Sequence, residues 1–157
     1  SVVTTDAQGH AVRTLDMGDG VTVRCDENGC VGMDLSENGA LGCAFAIVTE
    51  LRAFAEVCDT SVDAAGRAAM AEVFDAVGQI AVRNAVPPRP VSYLQEVLDA
   101  AKDRLREDHD TDLAGWCRAE FETDVGDILR EIVAAWQAGP QRPKPDDDRL
   151  PVMNPCL

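Results

Sequence analysis

Basic side chains are scarce in this chain: 14 Lys and Arg stand against 28 Asp and Glu, for a formal net charge of -14. Lysine occurs only at Lys102 and Lys144, and no basic cluster forms anywhere along the sequence. Such a balance repels a duplex or an anionic membrane surface at long range, so nucleic acid is not the expected partner. Histidine is equally thin. His10 and His109 are the whole supply, which leaves general acid–base chemistry at neutral pH without its usual agent. A Gly-rich phosphate loop, a nucleophile elbow and a paired histidine metal motif are all missing. The longest apolar run, "ALGCAFAIV" from Ala40 to Val48, falls well short of the roughly 20 residues that span a bilayer. Together these features predict a protein that is not an enzyme and carries no cofactor.

What is present is enough apolar material for a core. Hydrophobic residues make up 46% of the 157, too many for a disordered chain and suited to one domain. Residues 1–39 read as β and turn. "AVRTLDM", "VTVRC" and "CVGMDL" are short strand candidates, separated by Gly18–Gly20 and by "DENG". From Leu41 the apolar period becomes helical and stays so for about a hundred residues. A first helix is expected from Leu41 to Cys58. Ser61 is placed to cap a second, whose stripe is Met70, Val73, Phe74, Val77, Ile80 and Ala81. Proline at positions 87, 88 and 90 stops it, because proline lacks the N–H that a helix needs.

Ser92 with Gln95 has the form of a capping box for a third helix, whose apolar face is Leu94, Val97, Leu98, Ala101 and Leu105. A fourth helical region begins near Asp112 and reads as one helix or two, with Thr123 as a second cap. Gly139–Pro140 closes it. The expected architecture is mainly α: a four-helix antiparallel bundle (residues 40–139), an N-terminal β-hairpin or three-stranded meander (1–39) and a proline-rich C-terminal arm (140–157), all in one domain.

Six cysteines, at 25, 30, 43, 58, 117 and 156, admit three readings. Zinc would require a second close pair beside Cys25 and Cys30, and there is none. Free thiols would serve as small apolar core residues, because Cys43, Cys58 and Cys117 lie on helix stripes. Disulfides fit the geometry of a bundle best. Cys43 and Cys58 are separated by about 22 Å of helical rise, so they cannot bond each other. Cys58 and Cys117 fall at the same end of an up-and-down bundle. Cys25 and Cys30 close a hairpin, and a returning tail would take Cys156 to Cys43. The apolar ending "RLPVMNPCL" is then a strap over the first helix.

The hairpin holds a conflict of register. Pairing Cys25 with Cys30 puts Val31, Met33 and Leu35 on the face opposite Val21 and Val23. A bulge at Gly32 would restore one apolar face, and the expectation is a bond with that bulge.

Asp108, Asp110 and Asp112 alternate like the first ligands of a calcium loop. Leu113 stands where the turn glycine belongs and Ala119 where the bidentate acid belongs, so they are weak metal candidates. The composition therefore points to an exported protein, periplasmic or extracellular, that binds another protein: an accessory subunit of a surface assembly, or an inhibitor of the immunity type. The alternatives are a calcium- or cation-binding module on those three acids, and a cytosolic or phage acidic interaction protein with free thiols.

Overall fold

Five helices follow a four-stranded antiparallel sheet in the computed structural model, which describes residues 1–139 apart from Asp19, Glu37 and Asn38. The strands are β1 (Val2–Thr5), β2 (Ala11–Gly18), β3 (Val21–Asp26) and β4 (Gly29–Asp34). They pair in sequence order as a meander. The helices are α1 (Leu41–Val57), α2 (Ala64–Asn84), α3 (Tyr93–Asp108), α4 (Leu113–Phe121) and α5 (Asp124–Ala138). The expected four-helix bundle is thus corrected to five helices, and the hairpin or three-stranded meander to four strands. The C-terminal arm lies outside the described residues. Two compact units divide the chain, one holding residues 1–44 and the other starting at Phe45.

In the first unit each turn is held by an aspartate that accepts backbone N–H bonds. Asp6 takes those of Gln8 and His10, Asp16 that of Gly18, and Asp26 that of Asn28. This is the local habit that makes Asp a turn residue. Gly20 is required twice over. Its φ is +84°, and an added Cβ would lie 2.9 Å from the backbone nitrogen of Ser36. Register between β3 and β4 is regular throughout, with Cys25 opposite Cys30, Val23 opposite Gly32 and Thr22 opposite Met33. The bulge expected at Gly32 is therefore absent. The irregularity sits instead in β2, where Met17 is the extra residue between Asp16 and Gly18. β1 was missed in the sequence because all four of its residues are exposed, so no alternation marks it.

In the second unit Asp63, not Ser61, caps α2, accepting the Gly66 N–H at 2.7 Å. Ser92 makes no side-chain cap bond, and Gln95 donates to Asp99 instead of reaching back. The α4–α5 corner explains the fifth helix. Thr123 is extended and turns its hydroxyl to the Glu120 carbonyl, while Gly126 packs against the Phe121 carbonyl with no room for a Cβ. Two apolar clusters form the core. One gathers Val48, Val73, Phe74, Leu94 and Leu98. The other gathers Leu51, Phe54, Met70 and Leu129 around Cys58 and Cys117.

Candidate interaction surface

Cys58 follows directly on α1, and Cys117 lies one turn into α4. Their sulfurs are bonded, with Cα atoms 5.4 Å apart. Both are buried, at 1% and 3% exposure, and Phe54 meets Trp116 edge-on beside them at 5.7 Å. Cys25 and Cys30 are bonded across β3 and β4, with Cα atoms 4.0 Å apart. That short separation belongs to a non-hydrogen-bonded cross-strand pair, the position where two side chains approach most closely. The pair expected between Cys43 and Cys156 falls outside the described residues, because Cys156 does. No described cysteine is free, which corrects the alternative built on free thiols.

Asp108, Asp110 and Asp112 do not converge. Asp112 caps α4 through the Gly115 N–H at 3.0 Å, and Asp110 accepts the Thr111 hydroxyl at 3.2 Å. His109, between Asp108 and Asp110, stacks on Trp116, with ring centroids 3.8 Å apart. Among the described residues no group of three or more His, Cys, Asp or Glu side chains is placed to hold a metal ion. The acidic stretch works as a helix connection, its last acid at the positive end of the α4 dipole.

Glu56 on α1 gathers two cations. Its carboxylate takes Arg52 at 2.6 Å and Lys102 of α3 at 2.9 Å. Partial burial pushes the Glu56 carboxyl up. The hydrogen bonds from Lys102 and Arg52, with their charges, outweigh that and leave it below its ordinary value. Arg52 also lies over the Phe74 ring at 5.7 Å. This network ties α1 to α3.

An open groove of about 490 Å³ lies between the start of α2 and α5, with Val62, Phe121, Leu129 and Val133 on its walls. Its charged lining residues are engaged elsewhere: Asp63 caps α2, and Arg130 pairs with Asp127 at 2.7 Å while lying over Phe121. It offers shape and apolar wall but no acid–base couple.

The exposed apolar side chains of the first unit form a different pattern. With β3 and β4 in regular register, Val31 and Met33 share a face with Arg24 and Thr22, away from the disulfide. They stand 64% and 42% exposed, and Leu35, just beyond the strand, 73%. β4 is an edge strand. The signal was in the sequence: counting faces from Cys25 and Cys30 put these residues opposite Val21 and Val23. The supposed bulge at Gly32 erased it. Among the described residues no helix is long and apolar enough to cross a membrane. The chain matches no protein-family model, no curated protein and no solved structure.

Proposed function

We propose that this is a non-catalytic exported protein, periplasmic or extracellular, that works by binding another protein. An accessory subunit of a surface assembly and an inhibitor of the immunity type are the roles it suits. The single observation that carries the reading is the oxidised hairpin: the Cys25–Cys30 bond fixes β3 against β4 while Val31 and Met33 stay in water. A bond across so short a loop adds little to stability, about 2 kcal/mol by chain entropy. Its larger effect is to hold the exposed side chains in one arrangement, which reduces the ordering cost of docking. Two disulfides in one small chain fit an oxidising compartment, because thiols are kept reduced in most cytosols.

The test is capture from the native source with the full chain as bait, after alkylation that traps thiols in their native state. The expected result is no alkylation at positions 25, 30, 58 and 117. A partner should be retained by the wild type and lost by the Val31→Ser/Met33→Ser variant. Reduced thiols in the native protein, or capture that ignores both substitutions, would overturn the reading.

A further inference from the structure

We propose that the outer edge of β4 takes an extended segment of another protein as a fifth strand. The segment carries aliphatic side chains at alternate positions and a basic residue where it passes the β3–β4 turn. The proposal rests on the binding-protein reading above and names how the binding is done.

The backbone comes first. In the β3–β4 ladder, Cys25 and Cys30 form a non-hydrogen-bonded pair, and two residues further on so do Val23 and Gly32. At those positions the β4 N–H and C=O groups turn away from β3 and point outward. Among the described residues nothing takes the outward bonds of Cys30 or Gly32. Natural edges of this kind are blunted by lysine, proline, a bulge or an inward charge. From Gly29 to Met33 the strand has none of these, and its one inward acid, the buried Asp34, stands at the far end from the β3–β4 turn. Among the described residues the one bulge of the sheet is in β2, an interior strand. β1 is the other edge, but it is four residues long and no covalent bond ties it to its neighbour.

Side chains then set what fits. Val31 and Met33 stand on one face of the edge and give an incoming strand two aliphatic neighbours. On the other face are Cys30 and Gly32, which are smaller and leave more room for its alternate residues than Val31 and Met33 do. Charge decides the occupant. The turn that ends the edge carries Asp26 and Glu27, both exposed, with His10 3.4 Å from Glu27, while Arg24 stands further along the ladder opposite Val31. A second copy of this chain would bring the same twofold surplus of acid, so a segment with lysine or arginine at that end is favoured over self-pairing.

The probe is a fluorescein-labelled synthetic peptide of alternating valine and threonine with lysine at both ends, read by anisotropy against the full oxidised chain. Saturable binding is expected, weakened at least about tenfold by Val31→Lys, which places a gatekeeping charge on the edge. Gly32→Pro should do the same by removing an outward N–H, with circular dichroism and a non-reduced disulfide map checking its fold. The decisive comparison is the same peptide N-methylated at alternate residues: it keeps the side chains, blocks the ladder and should not bind. Absence of wild-type binding, equal binding of the N-methylated peptide, or indifference to Val31→Lys would each overturn the proposal. So would a dimer in sedimentation that the peptide does not dissociate, because the occupant would then be a second copy. If native partner capture still depends on Val31 and Met33 while the peptide fails, strand addition is wrong and the binding-protein reading stands. If capture ignores both residues, that reading falls by itself.

Discussion

Cys58 and Cys117 are bonded across 59 residues of sequence, with both sulfurs inside the same apolar cluster as Phe54 and Met70. Cys25 and Cys30 are bonded across five, at the surface of a hairpin. The two bonds sit at opposite ends of the relation between loop length and stabilisation. Chain entropy assigns about 4 kcal/mol to the longer loop and about 2 kcal/mol to the shorter. Cys58→Ala/Cys117→Ala should therefore lower the denaturant midpoint far more than Cys25→Ala/Cys30→Ala, and should also steepen the slope, because the unfolded chain expands when the long loop is released. Loss of the buried sulfurs adds to the gap through packing. Equal midpoints for the two double variants would contradict this ordering.

Gly20 and Gly9 both have positive φ, +84° and +89°, but only Gly20 has backbone in the way of a Cβ. Gly9→Ala meets nothing within 4 Å and should cost about 1 kcal/mol for the left-handed conformation alone. Gly20→Ala adds a clash with the Ser36 nitrogen, for a total of about 2–3 kcal/mol. Thermal unfolding of both variants checks the difference.

The caps separate sequence pattern from structure. Asp63→Ala and Asp112→Ala each remove a carboxylate that holds an N–H at the start of a helix and should cost about 1 kcal/mol. Ser92→Ala, at the position that looked like a capping box, should be near neutral, because its side chain makes no cap bond. For Asp112→Ala the loss should be the same in calcium and in chelator. A calcium-dependent loss would restore the cation-loop reading of Asp108, Asp110 and Asp112.

Helical stripes were legible because burial repeats every third or fourth residue: Met70, Val73, Phe74, Ile80 and Ala81 of α2 are all buried as their spacing suggested. Helix count was legible only in part: Thr123 stood out as a second cap and does precede α5, but the choice between one helix and two stayed open. The α4–α5 corner depends on a carbonyl of Phe121 packed against Gly126, a contact that no periodicity reports. Ser61 and Asp63 are both good caps two residues apart, and only the path of the chain after Cys58 selects Asp63. On the sheet, pairing Cys25 with Cys30 gave the β3–β4 register, and apolar alternation argued against it by asking for a bulge at Gly32. Alternation misled only where it was assumed that Val31 and Met33 must be buried. Apolar residues exposed on an edge violate that rule, which is why they mark the candidate surface.

Glu56 gives a prediction with a defined pH window. Its folded-state carboxyl lies below the ordinary value because Lys102 and Arg52 outweigh the effect of burial. A depressed carboxylate contributes stability that is present above the unfolded-state pKa, near 4.3 for glutamate, and lost as pH falls through the lower folded value. Glu56→Gln keeps the size but removes the charge, leaving Arg52 and Lys102 without their shared acceptor at 17% and 19% side-chain exposure. At neutral pH the variant should be less stable by about 1–2 kcal/mol. As pH drops below about 4 the wild type should lose that advantage until the two urea midpoints meet. Arg104 and Glu50 provide the control. They also bridge α3 to α1, at 2.6 Å, but with both side chains more than half exposed, so solvent screens the pair and Glu50→Gln should shift the midpoint little at any pH. If Glu56→Gln and Glu50→Gln behave alike, the network around Glu56 is a surface ornament rather than the tie between the two helices.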